Sequence, residues 1–483
     1  MRSIHFSVVM HIVGLCLMLE SLFLLLTTLI AIVFNDGTML TFIESAGISF
    51  LFGFILFRVC KFDKQKTPTI KDSFLIVTFS WVFISLFGSL PYLLSRSIPN
   101  FVDAFFETVS GFTTTGSSIL TDIEVLPKAI QFWRAETHWI GGMGIIALVV
   151  VILPSLKVTG NQLFSAEGAF FSTEKIHPRL IDAARRLWLV YIILTLSETL
   201  LLMFAKMNWF DAVCHSFATV ATGGFSTKNT SIIDYSPTIQ YIITFFMFLS
   251  GMNFVLHFMI FTGRFKKAFR DEELKYYIAI VLIITIILSY NNYSFYKDIE
   301  TSFRQSIFQI VSIITATGFV SANYEQWSQV SIAIVFFIMF IGACTGSTGG
   351  GIKIARYTVV LKSIGAQFKR TLHPNCVSIV KYNKKSISDK VLNNISSFVV
   401  IYFLTFVVGT FIMMGMGLNV SSAASSSITT LGGIGPGLGL VGPVNSFASI
   451  NNGGKLFLCF NMILGRLEII SVLSLFTKSF YKV

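Results

Sequence analysis

Charge is what this 483-residue chain has least of. Only 12% of its residues are Asp, Glu, Lys or Arg, about half the ~25% of a soluble globular chain. A soluble enzyme of this length could not dress its surface with so few ions. Cysteine is sparse and scattered: Cys16, Cys60, Cys214, Cys344, Cys376 and Cys459 form no CxxC pair and no His/Cys cluster of zinc spacing. That argues against a disulfide scaffold or a structural metal. The seven His are dispersed, and HExxH, GxSxG and Walker A motifs are missing, which speaks against an integral-membrane enzyme. No Rossmann fingerprint is present, so nucleotide control would have to come from a partner.

What fills the chain instead is apolar. Hydrophobic residues make up 54%, and the mean hydropathy is +0.74. Runs near the spanning length of about 20 residues fall at 8–33, 42–59, 73–94, 131–154, 187–206, 237–262, 276–290, 328–344, 395–417 and 455–476. The expected fold class is therefore an all-α polytopic membrane protein of about ten spans. The first run is longer than a signal-peptide core and is read as a retained span.

The net charge of +12 then reads as topology. With ten spans, 27 of the 36 Lys and Arg fall on one side, concentrated at 58–71, 157–186, 264–275 and 353–390. The positive-inside rule makes that side cytoplasmic, with both termini on it. No nucleic-acid partner is implied; the bilayer is the partner. The outer segments carry Asp103, Glu107, Asp122, Glu124, Asp211, Asp234, Asp298, Glu300 and Glu325. These either concentrate cations at a mouth or are ordinary solvated loop charge.

After two spans the chain falls into one rhythm: a span, an outer segment ending in Thr and Gly, and a returning span. Four such segments occupy 101–118, 210–226, 304–320 and 419–437, and they align without gaps on Gly116, Gly224, Gly318 and Gly435. Ser110, Ala218, Ser312 and Thr429 share a small column; Val109, Phe217, Val311 and Ile428 share an apolar one. In the second segment Gly223 and Gly224 offer two registers. Each segment is too short to cross. A half-helix of about 10 residues reaches mid-membrane at ~1.5 Å per residue, and the chain must return extended. Such backbone is tolerated only where protein buries it or it lines a watery cavity. Four loops converging on one axis would aim negative helix ends and Gly-rich carbonyls at a cation. The residues expected to line this filter and to bind potassium are Thr114, Thr115, Gly116, Thr222, Gly223, Gly224, Thr317, Gly318, Ile434 and Gly435. Thr113, Thr315 and Thr430 stand beside them. The modules are drawn at 67–183, 184–268, 269–388 and 389–483, after an N-terminal pair of helices at 1–66.

With TTTGS, TGGFS, TATGF and GGIGPG between paired spans, the sequence resembles the Trk/Ktr/HKT superfamily of potassium transporters over essentially its whole length. HWIGGMG at 138–144, GACTGSTGGGIK at 342–353 and GRLEI at 465–469 add to the likeness. The resemblance implies four modules around one pore, potassium uptake across the bacterial inner membrane, and a homodimer. It also implies a TrkA-like cytoplasmic ring that gates the pore by binding NAD(H) or ATP/ADP, with no organic cofactor in this chain. In the plant branch a serine at the first filter glycine goes with sodium preference; Gly116 favours potassium. A sodium- or proton-coupled transporter on the same scaffold is the main rival, although acids within spans are few, Glu20, Glu44 and Glu198 among them.

Two features suggest a gate. Residues 342–351 hold five glycines and three Ser/Thr, too many for a continuous helix. The resemblance makes this an intramembrane loop that occludes permeation, with Gly346, Thr348, Gly349 and Gly350 as gate residues. Arg466 lies in the last span, where a charge is costly and faces a pore or a partner. The resemblance puts it in the pore below the filter, as an electrostatic barrier. Pairing with Glu468 is disfavoured, because residues two apart face different sides of a helix. His138 and Trp139 are expected as interfacial aromatics. Asn253 and His257 suit either pore lining or helix–helix bonding. The basic stretch 353–390, with Lys369, Arg370, Lys381, Lys384 and Lys385, suits anionic lipid or the regulatory ring.

Overall fold

The computed structural model describes residues 4–60, 69–144 and 179–481. Among the described residues six helices are long and apolar enough to span a bilayer: Phe6–Phe34, Met39–Val59, Lys71–Leu94, Ala184–Phe204, Glu272–Tyr296 and Asp389–Gly415. The first two are the N-terminal pair. Each of the other four opens a module and leads to a shorter helix: Phe101–Phe112, Trp209–Val220, Ile299–Ile314 and Val420–Gly432. These half-helices start on Asn100, Asn208, Asp298 and Asn419, whose side chains accept from backbone N–H groups of the first turn. The repeated Asn/Asp cap satisfies donors that a helix start leaves open.

The returning legs differ from the single spans expected. Lys128–Gly142 ends at a glycine pair. Pro237–Ser250 and Phe254–Phe261 are bent by 102° at Gly251–Asn253. Gln329–Ile338 stops before the 342–351 stretch. Asn452–Arg466 breaks at Glu468, whose φ is +63°. Glycine explains the breaks. A Cβ on Gly141 would strike the Phe112 carbonyl, and one on Gly465 the Leu431 carbonyl. The return helices therefore pack glycine faces against the ends of the half-helices and cannot run on. The second half of the run at 131–154, and the basic segments at 61–68 and 157–178, lie outside the described residues.

The N-terminal pair is tied to the first module by side chains. His5 Nδ1 meets Asp72 Oδ2 at 2.9 Å, and the Thr27 hydroxyl donates to Glu136. Within the pair, the helices cross where Gly14 and Gly53 meet. A Cβ on either would come within 3.0 Å of the other's carbonyl oxygen. Such close approach needs small residues. Gly53→Leu is expected to cost about 1–3 kcal/mol by overpacking, read as a lower unfolding temperature in detergent. Gly47→Ala on the same helix, where a Cβ meets nothing within 4 Å, should change it little.

Candidate functional site: a four-loop ring and the loop beneath it

Each half-helix ends in the same turn. Thr114, Thr222, Ala316 and Gly433 adopt left-handed φ of 53°, 57°, 57° and 68°. The next N–H, of Thr115, Gly223, Thr317 or Ile434, donates five residues back to Ser110, Ala218, Ser312 or Thr429 at 2.8–2.9 Å. This is a Schellman closure, and its acceptors are the small column of the alignment. Three of the four left-handed residues are not glycine, a strain of about 1–2 kcal/mol each that the surroundings must hold.

One residue further on, Gly116, Gly224, Gly318 and Gly435 have φ of +79°, +83°, +80° and +91°. Their faces close a circle. A Cβ on Gly116 would strike the Gly223 carbonyl oxygen, on Gly224 that of Thr317, on Gly318 that of Ile434, and on Gly435 that of Thr115, all within 3.0 Å. Every loop thus touches the next, and the fourth returns to the first. In the second loop Gly224 occupies the ring position, while Gly223 packs its Cα against the His138 ring. Two hydroxyl pairs stiffen the turns: Thr113 with Thr115 at 2.8 Å, and Thr315 with Thr317 at 2.7 Å.

Behind the ring, buried polar groups fix the outgoing strands. Glu107 and Arg134 pair at 2.9 Å with side-chain exposures of 0% and 1%. Glu107 also accepts from Ser118 and the Ile119 N–H, and Arg134 donates to the Ser226 carbonyl. His138, expected at an interface, is instead fully buried. Its Nδ1 lies 2.7 Å from the Gly111 carbonyl, and its Nε2 accepts from the Phe225 N–H at 3.2 Å. It joins the first two modules. His215 bonds Ser226 at 3.0 Å, the Ser312 hydroxyl donates to the Phe319 carbonyl, and Ser425 accepts from the Leu438 N–H. A charged pair this deep needs such extra bonds to be tolerable.

The outer acids are mostly occupied too. Asp103 pairs with Lys455 at 2.6 Å, Glu300 with Arg304 at 2.8 Å, and Glu325 accepts from the Gly439 N–H. On the exposed rim the Lys228 ammonium holds the Glu124 carboxyl below its usual range, and Asn229 does the same for Asp122. These acids brace the outer loops. Glu20 and Glu198 are fully buried, Glu20 against Gly88 of the first module. Glu44 is exposed. Among the described residues no group of His, Cys, Asp and Glu is arranged to hold a metal ion.

The stretch 342–351 is non-helical and sits against the C-terminal ends of the half-helices. Its own ends close through the Ile341–Ile352 bridge. The Thr348 hydroxyl donates to the Val220 carbonyl at 3.1 Å. Gly349 abuts the Thr315 carbonyl and Gly350 that of Gly432, so closely that neither has room for a Cβ. Gly346 packs on Asn253. Asn253 caps Phe254–Phe261, and His257 bonds the Leu249 carbonyl, so both brace the bent second module. Arg466 completes the fourth side. It donates to the Thr348 carbonyl at 2.8 Å and to the carbonyls of Gly141 and Gly142 at 2.5 and 3.0 Å. Glu468 pairs instead with Arg356 at 2.6 Å. Arg466 is thus a tie between the loop and the first module as well as a positive charge.

Sequence reasoning did not find His138, the Glu107–Arg134 pair or the repeated helix caps as parts of this site. The caps were visible as an Asn or Asp at the start of each segment or within six residues before it. The pairings join residues far apart in the chain, which no local pattern signals.

Residues 42–481 match the family described as TrkH, cation transport protein. The chain is similar to the Trk system potassium uptake protein TrkH of Salmonella typhimurium, 38% identical across 99% of this chain and 100% of the relative. It is 31% identical to the Trk system potassium uptake protein TrkG of Escherichia coli over the full length of both. The crystal structure of the potassium transporter TrkH from Vibrio parahaemolyticus superposes with a TM-score of 0.88 at 34% identity, covering 99% of this chain and 100% of that one. The chain is therefore a multi-pass membrane protein of the TrkH family of cation transport proteins, and not an enzyme.

Proposed function

We propose that this chain is the pore subunit of a bacterial potassium uptake system. It lies in the inner membrane with both termini in the cytoplasm. Residues 1–66 form an added pair of helices, and the modules at 67–183, 184–268, 269–388 and 389–483 surround the pore. Potassium passes through the ring, where the backbone of Thr114–Gly116, Thr222–Gly224, Thr317–Gly318 and Ile434–Gly435 replaces its water. The observation that carries this reading is the cyclic contact of the four glycines with the four carbonyls. The C-terminal ends of the half-helices add partial negative charge on that axis. The loop at 342–351, through Gly346, Thr348, Gly349 and Gly350, closes the path beneath, and Arg466 holds it there. The chain works as a homodimer, and a TrkA-like ring binding NAD(H) or ATP/ADP opens the gate from the cytoplasm. The names of the relatives support potassium as the cargo.

Rubidium uptake in cells lacking their own potassium transport tests the reading; no uptake with a matching regulatory subunit present would sink it. Gly116→Ser places a side chain at φ +79° against the Gly223 carbonyl. Uptake is expected to fall about tenfold, with preference shifting toward sodium. Unchanged selectivity would remove Gly116 from the filter.

Arg466→Ala removes three charge-assisted bonds and a barrier charge. Rubidium flux at equal expression is expected to rise about tenfold or more. Equal or lower flux would count against the gate role of Arg466.

A further inference from the structure

One carboxylate oxygen anchors both sides of the loop at 342–351. Glu273 Oε1 accepts from the Thr345 N–H at 2.7 Å, the Thr345 hydroxyl at 3.1 Å and the Ala355 N–H at 3.0 Å. Glu273 is buried and stands second in the helix Glu272–Tyr296. Its two predecessors face elsewhere. Asp271 and Glu272 meet a small hairpin in which Lys381 pairs with Ser386 and Tyr382 with Lys385. Asn383 and Lys384 form its turn, with φ of 47° and 65°, the two-residue geometry that suits hairpin twist.

The hairpin grips those two residues through Asn383. Asn383 Oδ1 accepts from the Glu272 N–H at 2.8 Å, its own N–H donates to Glu272 Oε2 at 2.9 Å, and its Nδ2 donates to Asp271 Oδ2 at 2.9 Å. Lys362 pairs with Glu272 and donates to the Lys381 carbonyl at 3.0 Å. Three consecutive residues, 271–273, therefore link the hairpin to the loop by hydrogen bonds at every step.

We infer that Glu273 is the positioning residue that latches the loop beneath the ring, and that the hairpin at 381–386 sets whether the latch holds. The inference rests on reading the loop as the gate. Without the Oε1 acceptor, two backbone N–H groups lose their partner, which favours a loop position where water reaches them. A displaced hairpin moves the first turn of the helix, because three hydrogen bonds from Asn383 fasten the two directly and Lys362 bridges them. Lys384 and Lys385 at its tip are exposed, so the lever's outer end is available to an acidic ligand.

Cys344 is a built-in reporter. It lies in the loop, is fully buried, and its N–H donates to the Gly251 carbonyl at 3.0 Å. In the full chain with the other five cysteines replaced, its reaction with a small thiol reagent is followed in inverted vesicles alongside rubidium flux. Glu273→Ala is expected to raise both by about tenfold. Glu273→Gln keeps the acceptor oxygen and is expected to restore both. Asn383→Gly suits the positive φ but loses two side-chain bonds, and should raise both to a smaller extent. A protected Cys344 in folded Glu273→Ala, or Gln behaving as Ala, overturns the latch. Unchanged labelling in Asn383→Gly overturns the hairpin's part, and that variant stands if Glu273→Ala does not fold. Arg466→Ala run in parallel separates the two readings. If it exposes Cys344 without raising flux, the gate reading fails. If it raises both while Glu273→Ala raises neither, only the latch fails.

Discussion

Backbone polar groups in the middle of a bilayer have no water to bond, so any non-helical stretch there must be satisfied by protein or by a hydrated cavity. Four such stretches meet here, and each solves half of its problem alone and half with a neighbour. Alone, the chain closes its half-helix with the bond from residue 115, 223, 317 or 434 back to residue 110, 218, 312 or 429. With its neighbour, it lays a glycine flat against a carbonyl, around the whole circle. The side chains at the contacting carbonyls are Thr115, Gly223, Thr317 and Ile434. Two of these have no polar side-chain atom, so the backbone carbonyl is all that the four positions share. A fourfold ligand built here can only be made of main chain.

The surrounding structure serves that main chain with unlike chemistry. The first module uses an ion pair, Glu107 with Arg134; the second a histidine on Ser226; the third and fourth serine hydroxyls. The task in each case is to fix the strand that leaves the ring. Because each brace is buried and hydrogen-bonded, the strained turns at Thr114, Thr222 and Ala316 have nowhere to relax. Rigidity at the ring follows from packing and hydrogen bonds rather than from the ring's own sequence.

Much of this was legible in the chain. Low charge and ten apolar runs gave the membrane class, and the gapless alignment on Gly116, Gly224, Gly318 and Gly435 located the ring residues. The five glycines of 342–351 marked the unwound stretch. The breaks in the other return legs were not read, because Gly251, Gly465 and the Gly141–Gly142 pair sit in runs whose mean hydropathy still looks like one span. Hydropathy measures what lipid tolerates; it does not register a glycine pressed against another helix's carbonyl. The pairing of the outer acids was hidden for a related reason. Composition counts Asp103, Glu107 and Glu325 as charge, while the fold spends them on Lys455, Arg134 and the Gly439 N–H.

The fourfold arrangement is built from one chain, and that permits an exception in one quarter. The half-helix of the third module has 16 residues against 12, 12 and 13 in the others, and its return leg alone, among those described, unwinds into a closed loop of ten residues. Four identical loops of that size could not all fit against the same helix ends, where Gly349 and Gly350 already lack room for a methyl group. A ring of identical subunits would have to insert all four or none. Here the third module supplies the insertion seen among the described residues, the fourth supplies Arg466 to tie it, and the first supplies the carbonyls of Gly141 and Gly142 that receive the tie. Sequence divergence among the modules is what lets one quarter carry an element of its own while all four contribute equally to the ring.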